Sequence, residues 1–97
     1  MAAYMVAVCD ITNPGPGLKT YSEKSAKLSA SYGGKYLVRS PVGETIEGEL
    51  LKGKHIIISE FPSMEKLNEF YNDPEYREAK KSREGTGTYE IIFCAGA

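Results

Sequence analysis

The stretch YMVAVCDI, residues 4–11, is apolar at almost every position and runs straight into the turn cluster TNPGPG, residues 12–17. A short apolar run bounded by Pro and Gly reads as a buried strand. Alternation puts Met5, Ala7 and Cys9 on one side and Val6 and Val8 on the other, so both faces of the strand are apolar. The end of the chain repeats the pattern: in TYEIIFCA, residues 88–95, Ile91 and Phe93 alternate with Ile92 and Cys94. In HIIISEF, residues 55–61, the isoleucines again serve both faces. Strands of this kind need a cover on each side.

The segments between them supply helices. From Leu18 the positions Tyr21, Ser25, Leu28 and Tyr32 recur three and four residues apart, a helical stripe with a small residue in its middle, and Gly33-Gly34 ends it. KYLVRSPVGETIEGE, residues 35–49, reads as a long strand. Pro41 cannot donate to a ladder, which predicts a sheet edge with a bulge at the proline. After Pro62, Ser63 caps a helix that carries Met64, Leu67, Phe70 and Tyr71 on one side. NDPEY, residues 72–76, restarts it, with Asp73 as cap and Pro74 at the first helical position, and the second piece runs to Gly85. The order strand, helix, strand, strand, helix, strand with right-handed crossovers gives an α+β, ferredoxin-like βαββαβ fold. It is a four-stranded antiparallel sheet with two helices on one face, in a single domain over residues 1–97. The first and third strands lie in the middle. Helices on one face leave the other apolar face open, and a homodimer with sheets face to face is the expected cover.

The chain has 97 residues, with 12 Lys and Arg against 13 Asp and Glu, a formal net charge of -1. That length excludes a two-domain enzyme. The charge balance lacks the positive excess that draws proteins to phosphate backbones or anionic lipid, so neither nucleic acid nor membrane is an expected partner. The N-terminal MAAYMVAVCD has no basic segment before its short apolar run, which predicts a cytoplasmic protein with no membrane span. Cys9 and Cys94 lie in apolar runs and read as buried free thiols.

GGKYLVR at 33–39, Glu47-Gly48, EFPS at 60–63 and FYNDPEYRE at 70–78, with Arg83, form an ordered series. It resembles the bacterial family called domain of unknown function 1330, of the dimeric α/β-barrel superfamily. The resemblance spans essentially the whole chain and implies the ferredoxin-like fold and a sheet-to-sheet dimer. Phe70 stands where that family often has tryptophan, and Ser40-Pro41 replaces glycines that often follow LVR. Superfamily folds similar to this one include small monooxygenases, lactone isomerases and haem-degrading enzymes, which hold ligands between sheet and helices.

The candidate site residues are Arg39, Glu60, Tyr71, Tyr76 and Arg83. Glu60 ends a strand beside Ile56 and Ile58, where desolvation raises a carboxyl pKa and suits a proton shuttle. The alternative is a structural role, as a pair with Arg39 or Arg83 or as an acceptor from the amides that open the next helix. The two arginines suit two-point binding of a carboxylate or phosphate, while Arg83 also fits as a cation at a helix C-terminus. Tyr71 and Tyr76 offer hydroxyls to a ligand or rings to the core. His55 is the one histidine and has no CxxC or HxxxH company, so no metal site is expected and no cofactor is called for. It reads as a partly exposed residue at a strand start. Two functions remain: a cofactor-independent small-molecule-binding protein or enzyme with a sheet–helix cleft, or a non-catalytic homodimeric interaction module.

Overall fold

In the computed structural model, which describes residues 1–97, seven elements follow one another. They are β1 (Ala3–Ile11), α1 (Pro16–Ser31), β2 (Lys35–Pro41), β3 (His55–Phe61), α2 (Met64–Asn72), α3 (Pro74–Lys81) and β4 (Gly87–Ala95). The strands pair antiparallel in the order β2-β3-β1-β4, the ferredoxin-like arrangement with the first and third strands in the middle and the Pro41 strand on an edge. Ala3, Met5, Ala7 and Cys9 are buried in strict alternation along β1, which identifies their side as the one beneath the helices. Val6 and Val8 point the other way. In register with them on that helix-free side stand Ile56 and Ile58 of β3 and Ile92 of β4, the last 56% exposed. The molecule measures 34 × 33 × 15 Å, so it is only a sheet and one helical layer thick.

The core lies where α2 packs over β1 and β3, with Tyr76 of α3 completing it. Phe61, Leu67, Phe70 and Tyr76 are fully buried there, each worth roughly 1.5–3 kcal/mol by area. Phe61 and Phe70 have ring centroids 5.3 Å apart, Phe70 and Tyr76 4.7 Å, Tyr76 and Tyr71 4.9 Å, and Tyr71 and Phe93 5.5 Å, a continuous aromatic row from β3 to β4. The caps form as the sequence requires. Ser63 Oγ accepts from the Lys66 amide at 3.1 Å, and Asp73 Oδ1 accepts from the Glu75 amide at 2.8 Å. The other oxygen of Asp73 accepts from the Tyr32 hydroxyl at 2.6 Å, tying the end of α1 to the start of α3. That hydroxyl, with the Glu75 amide, holds the Asp73 carboxyl below its ordinary pKa.

Three expectations are corrected. The second strand stops at Pro41 instead of running to residue 49. Past the proline, Val42 makes one bond to the Lys54 carbonyl at 2.8 Å, and glycines with positive φ at 48 and 53 carry the chain round with Ile46 and Leu50 exposed. The bulge falls between Tyr36 and Val38, earlier than the proline. Cys9 is buried, but Cys94 is exposed, because its parity places it opposite Tyr4 on the helix-free face.

Gly17 has no room for a side chain: a Cβ there would strike the carbonyl oxygen of Ser82, just past α3. Gly17→Ala must therefore push α1 from α3 and is expected to cost roughly 1–3 kcal/mol in chemical denaturation. An unchanged unfolding midpoint would show that α1 is free to shift.

Candidate functional site

Small side chains face one another across the gap between sheet and first helix. β1 presents Ala7 and Cys9, while α1 presents Ser22, Ser25 and Ser29 at helical spacing. These walls cannot meet, and a cavity of about 290 Å³ remains between them. Phe70 bounds it where the aromatic core begins, and His55, Tyr89 and Arg83 line it toward the other end of β1. No group of three or more His, Cys, Asp and Glu side chains gathers to suit a metal ion. Among the lining residues are two arginines and a histidine, and no Asp or Glu.

Arg83 is the most constrained of these charges. It follows α3 in a turn held by Thr86, whose hydroxyl donates to the Arg83 carbonyl and hydrogen-bonds the Tyr89 hydroxyl. The turn is fixed in turn by the Thr12 and Asn13 amides, which donate to the Thr86 carbonyl at 2.9 and 3.0 Å. The guanidinium lies 4.6 Å from the ring centre of Tyr21 and 4.3 Å from that of Tyr89. Such contacts contribute about 0.5–2 kcal/mol each, depending on desolvation. Its Nη1 donates to the Tyr21 hydroxyl at 2.9 Å, and that oxygen lies 2.8 Å from the Tyr76 hydroxyl. Burial is the main cause that raises the pKa of both phenols, so they stand at neutral pH as protonated hydroxyls. Burial likewise raises the Cys9 thiol, partly offset by the charge of Arg83.

The structure separates the residues singled out from the sequence. Arg39 and Arg83 both line the cavity, Arg39 from the β2 edge, exposed and 4.9 Å from the ring centre of Tyr36. Tyr76 is buried behind the cavity as the second hydroxyl of the Arg83 chain, and Tyr71 packs between Tyr76 and Phe93 with the Lys80 ammonium 4.8 Å from its ring centre. Glu60 stands apart. Its parity with Ile56 and Ile58 carries it to the helix-free face, so it pairs with neither arginine. Its register neighbours are Tyr4 and Lys35. The Tyr4 hydroxyl donates to Oε2 at 2.9 Å and Lys35 Nζ lies 3.2 Å from Oε1. These partners lower the carboxyl pKa, the reverse of the rise expected from desolvation. His55 is the half-buried first residue of β3, as the sequence implies, and it also lines the cavity, directly opposite Cys9 in the register. Its Nδ1 is buried with no hydrogen-bond partner, at a cost of about 1–3 kcal/mol.

The family model described as domain of unknown function DUF1330 matches residues 2–97, and the chain belongs to that family. None of the curated proteins matches it. Among solved structures, a protein of unknown function from Rhodopseudomonas palustris superposes with a TM-score of 0.79 at 21% identity, covering 99% of this chain and 82% of that one. A cofactor-independent oxygenase from Streptomyces nogalater gives 0.70 at 9% identity, covering 99% and 93%. A dimeric ferredoxin-like protein of unknown function from Thermobifida fusca gives 0.62 at 11%, covering 98% and 91%. At these identities the likeness is one of fold.

Because the Glu60 pKa is lower folded than unfolded, its pair stabilises the fold above about pH 4.5, the ordinary value, and that contribution is lost as pH falls through the folded pKa. Glu60→Gln is expected to lower the thermal midpoint at neutral pH and to converge with the parent in acid. Parallel pH curves for the two proteins would refute the pairing.

Proposed function

We propose that this member of the family is a small-molecule-binding protein whose site is the cavity between the sheet and α1. The observation that carries the reading is the cavity itself: a core helix that turns Ser22, Ser25 and Ser29 toward Ala7 and Cys9 keeps open a space that larger side chains would fill. Had the cleft been filled and its charges paired, a purely structural module would be the better account. The polar groups that converge on it are few and fixed, as in a site that orients a ligand. Arg83 lies against two rings, and the Tyr21 hydroxyl accepts a hydrogen bond from it and lies beside that of Tyr76. As an enzyme it acts without a cofactor: the protonated phenol of Tyr21 and the Arg83 guanidinium donate hydrogen bonds to charge developing on an oxygen of the ligand. The cofactor-independent oxygenase with the same fold supports this by analogy of architecture.

The functional unit we propose is a homodimer. Val6, Val8, Ile56, Ile58 and Ile92 form an apolar strip on the helix-free face. The 15 Å thickness leaves nothing of the same chain to cover it. Tyr4, Glu60 and Lys35 then border the contact, which assigns Glu60 to the interface and removes it from the ligand cavity.

Ser25→Leu puts a larger apolar group into the cavity from a buried position on α1. It is expected to keep the thermal midpoint or raise it, and to weaken binding of 2-naphthamide, a neutral fluorescent aromatic amide, by about tenfold or more. Equal binding to parent and variant would remove the cavity from the site. Sedimentation equilibrium of the parent protein at micromolar concentration is expected to give the mass of two chains, and Ile92→Lys that of one, since an unpaired ammonium would be buried in the contact. A monomeric parent would overturn the homodimer.

A further inference from the structure

Resting on the reading of the cavity as a ligand site, we propose that its ligand is an organic monocarboxylate with an apolar body, bound through the carboxylate to the guanidinium of Arg83. Every ion pair of the chain uses a lysine: Lys19 with Glu23, Lys35 with Glu60, Lys52 with Glu49, Lys66 with Glu69 and Lys81 with Glu78. Arg83 has no carboxylate partner although the chain holds 13 acidic residues, and none of those acids lines the cavity. A guanidinium carries five N–H donors, and the protein accepts from one of them, through the Tyr21 hydroxyl. The remaining donors belong to a cation at the cavity wall.

That cation is also held in place before any ligand arrives. Two ring contacts, the hydrogen bond to Tyr21 and the Thr86 turn restrain it, so little rotamer freedom is left to lose on binding. Tyr21 and Tyr89 displace water from around it, and a charge partly screened from water attracts an anion more strongly than one on an open surface. A planar fork suits the planar carboxylate. A phosphate monoester, with nearly two charges and three acceptor oxygens, exceeds what one guanidinium balances.

The other walls set the rest of the ligand. Met5, Ala7, Ile57, Phe70 and Ile91 offer apolar surface, and a volume of about 290 Å³ lies at the small end of ligand pockets, enough for one or two rings. Arg39 stands on the far, β2 side, exposed, against Tyr36. Its position suits attraction of an approaching anion more than its final anchoring.

The test compares two fluorescent probes of one shape, 2-naphthoate and its neutral amide 2-naphthamide, on the full chain. The parent is expected to bind the carboxylate about tenfold more tightly than the amide, a preference that weakens as salt rises. Arg83→Gln should abolish the preference, weakening the carboxylate far more than the amide, and Arg39→Gln should keep most of it. If Arg83→Gln fails to fold, Arg83→Lys, which keeps the charge and loses the fork, is expected to reduce the preference about threefold or more. Equal binding of both probes to the parent, abolished by Ser25→Leu, would overturn the carboxylate and leave the cavity as the site. A preference that survives in the Arg83 variant that folds would also overturn the anchor. Binding of neither probe at millimolar concentration would overturn the cavity reading and this inference together.

Discussion

Because β1 is hydrogen-bonded on one side to β3 and on the other to β4, each residue from Ala3 to Cys9 faces a neighbour across both ladders, and its side chain has only two directions to take. One direction carries Ala3, Met5, Ala7 and Cys9 beneath the helices. The other carries Tyr4, Val6 and Val8 away from them. A slip of one residue would place valines under α1 and expose Met5 and Cys9, so the register decides where the cavity lies and which face is left apolar. Ala7 is the smallest of the central residues and sits between Ile57 and Ile91 in the row.

What keeps the cavity from collapsing lies at its ends. Toward one end, the aromatic row from Phe61 to Phe93 fills the space under α2 and α3 and sets the height of the helical layer. Asp73, bonded to Tyr32 and to the Glu75 amide, fastens the C-terminal end of α1 to that layer. The N-terminal end meets α3 at Gly17, where backbone touches backbone. With both ends of α1 pinned, the serines in its middle cannot sink onto the sheet to close the gap. Packing defects of this kind normally lower stability, and they persist where the surrounding structure holds the walls apart.

The elements were legible because each is specified locally. Ser63, Asp73 and Pro74 announce helix starts through their own chemistry, and Gly33, at φ 81, ends α1 in a conformation that glycine adopts without strain. Pro41 marks the edge strand, but the strand is shorter than its composition implies, because Val42, Thr45 and Ile46 continue a strand-like pattern beyond the last residue that pairs. Which face of the sheet the helices cover was not legible. Both alternating sets of β1 are apolar, and the preference is decided by packing against helices far away in sequence. Glu60 suffered from the same ambiguity: its company with Ile56 and Ile58 was readable, the side on which all three would lie was not. Its partners Tyr4 and Lys35 follow from the register of two separate strand pairs. The exposure of Cys94 follows from the same parity.

The cavity did leave a trace in the sequence, in the serines on the helical stripe that Tyr21 and Leu28 define. A stripe that feeds a core should carry leucine or isoleucine at such positions, and Ser25 and Ser29 are both buried with side chains too short to fill what lies in front of them. His55 belongs to the same pattern once the parity is known, since it shares a face with Ile57 and Ser59 and faces Cys9 across the ladder. A histidine with a buried, unpartnered nitrogen beside small residues and an unpaired arginine is a poor arrangement for stability alone. Larger apolar side chains at these places would give a better-packed and more stable domain. Arrangements that forgo that gain while keeping a cation oriented by two rings are the ones expected where a ligand, rather than the chain, completes the packing.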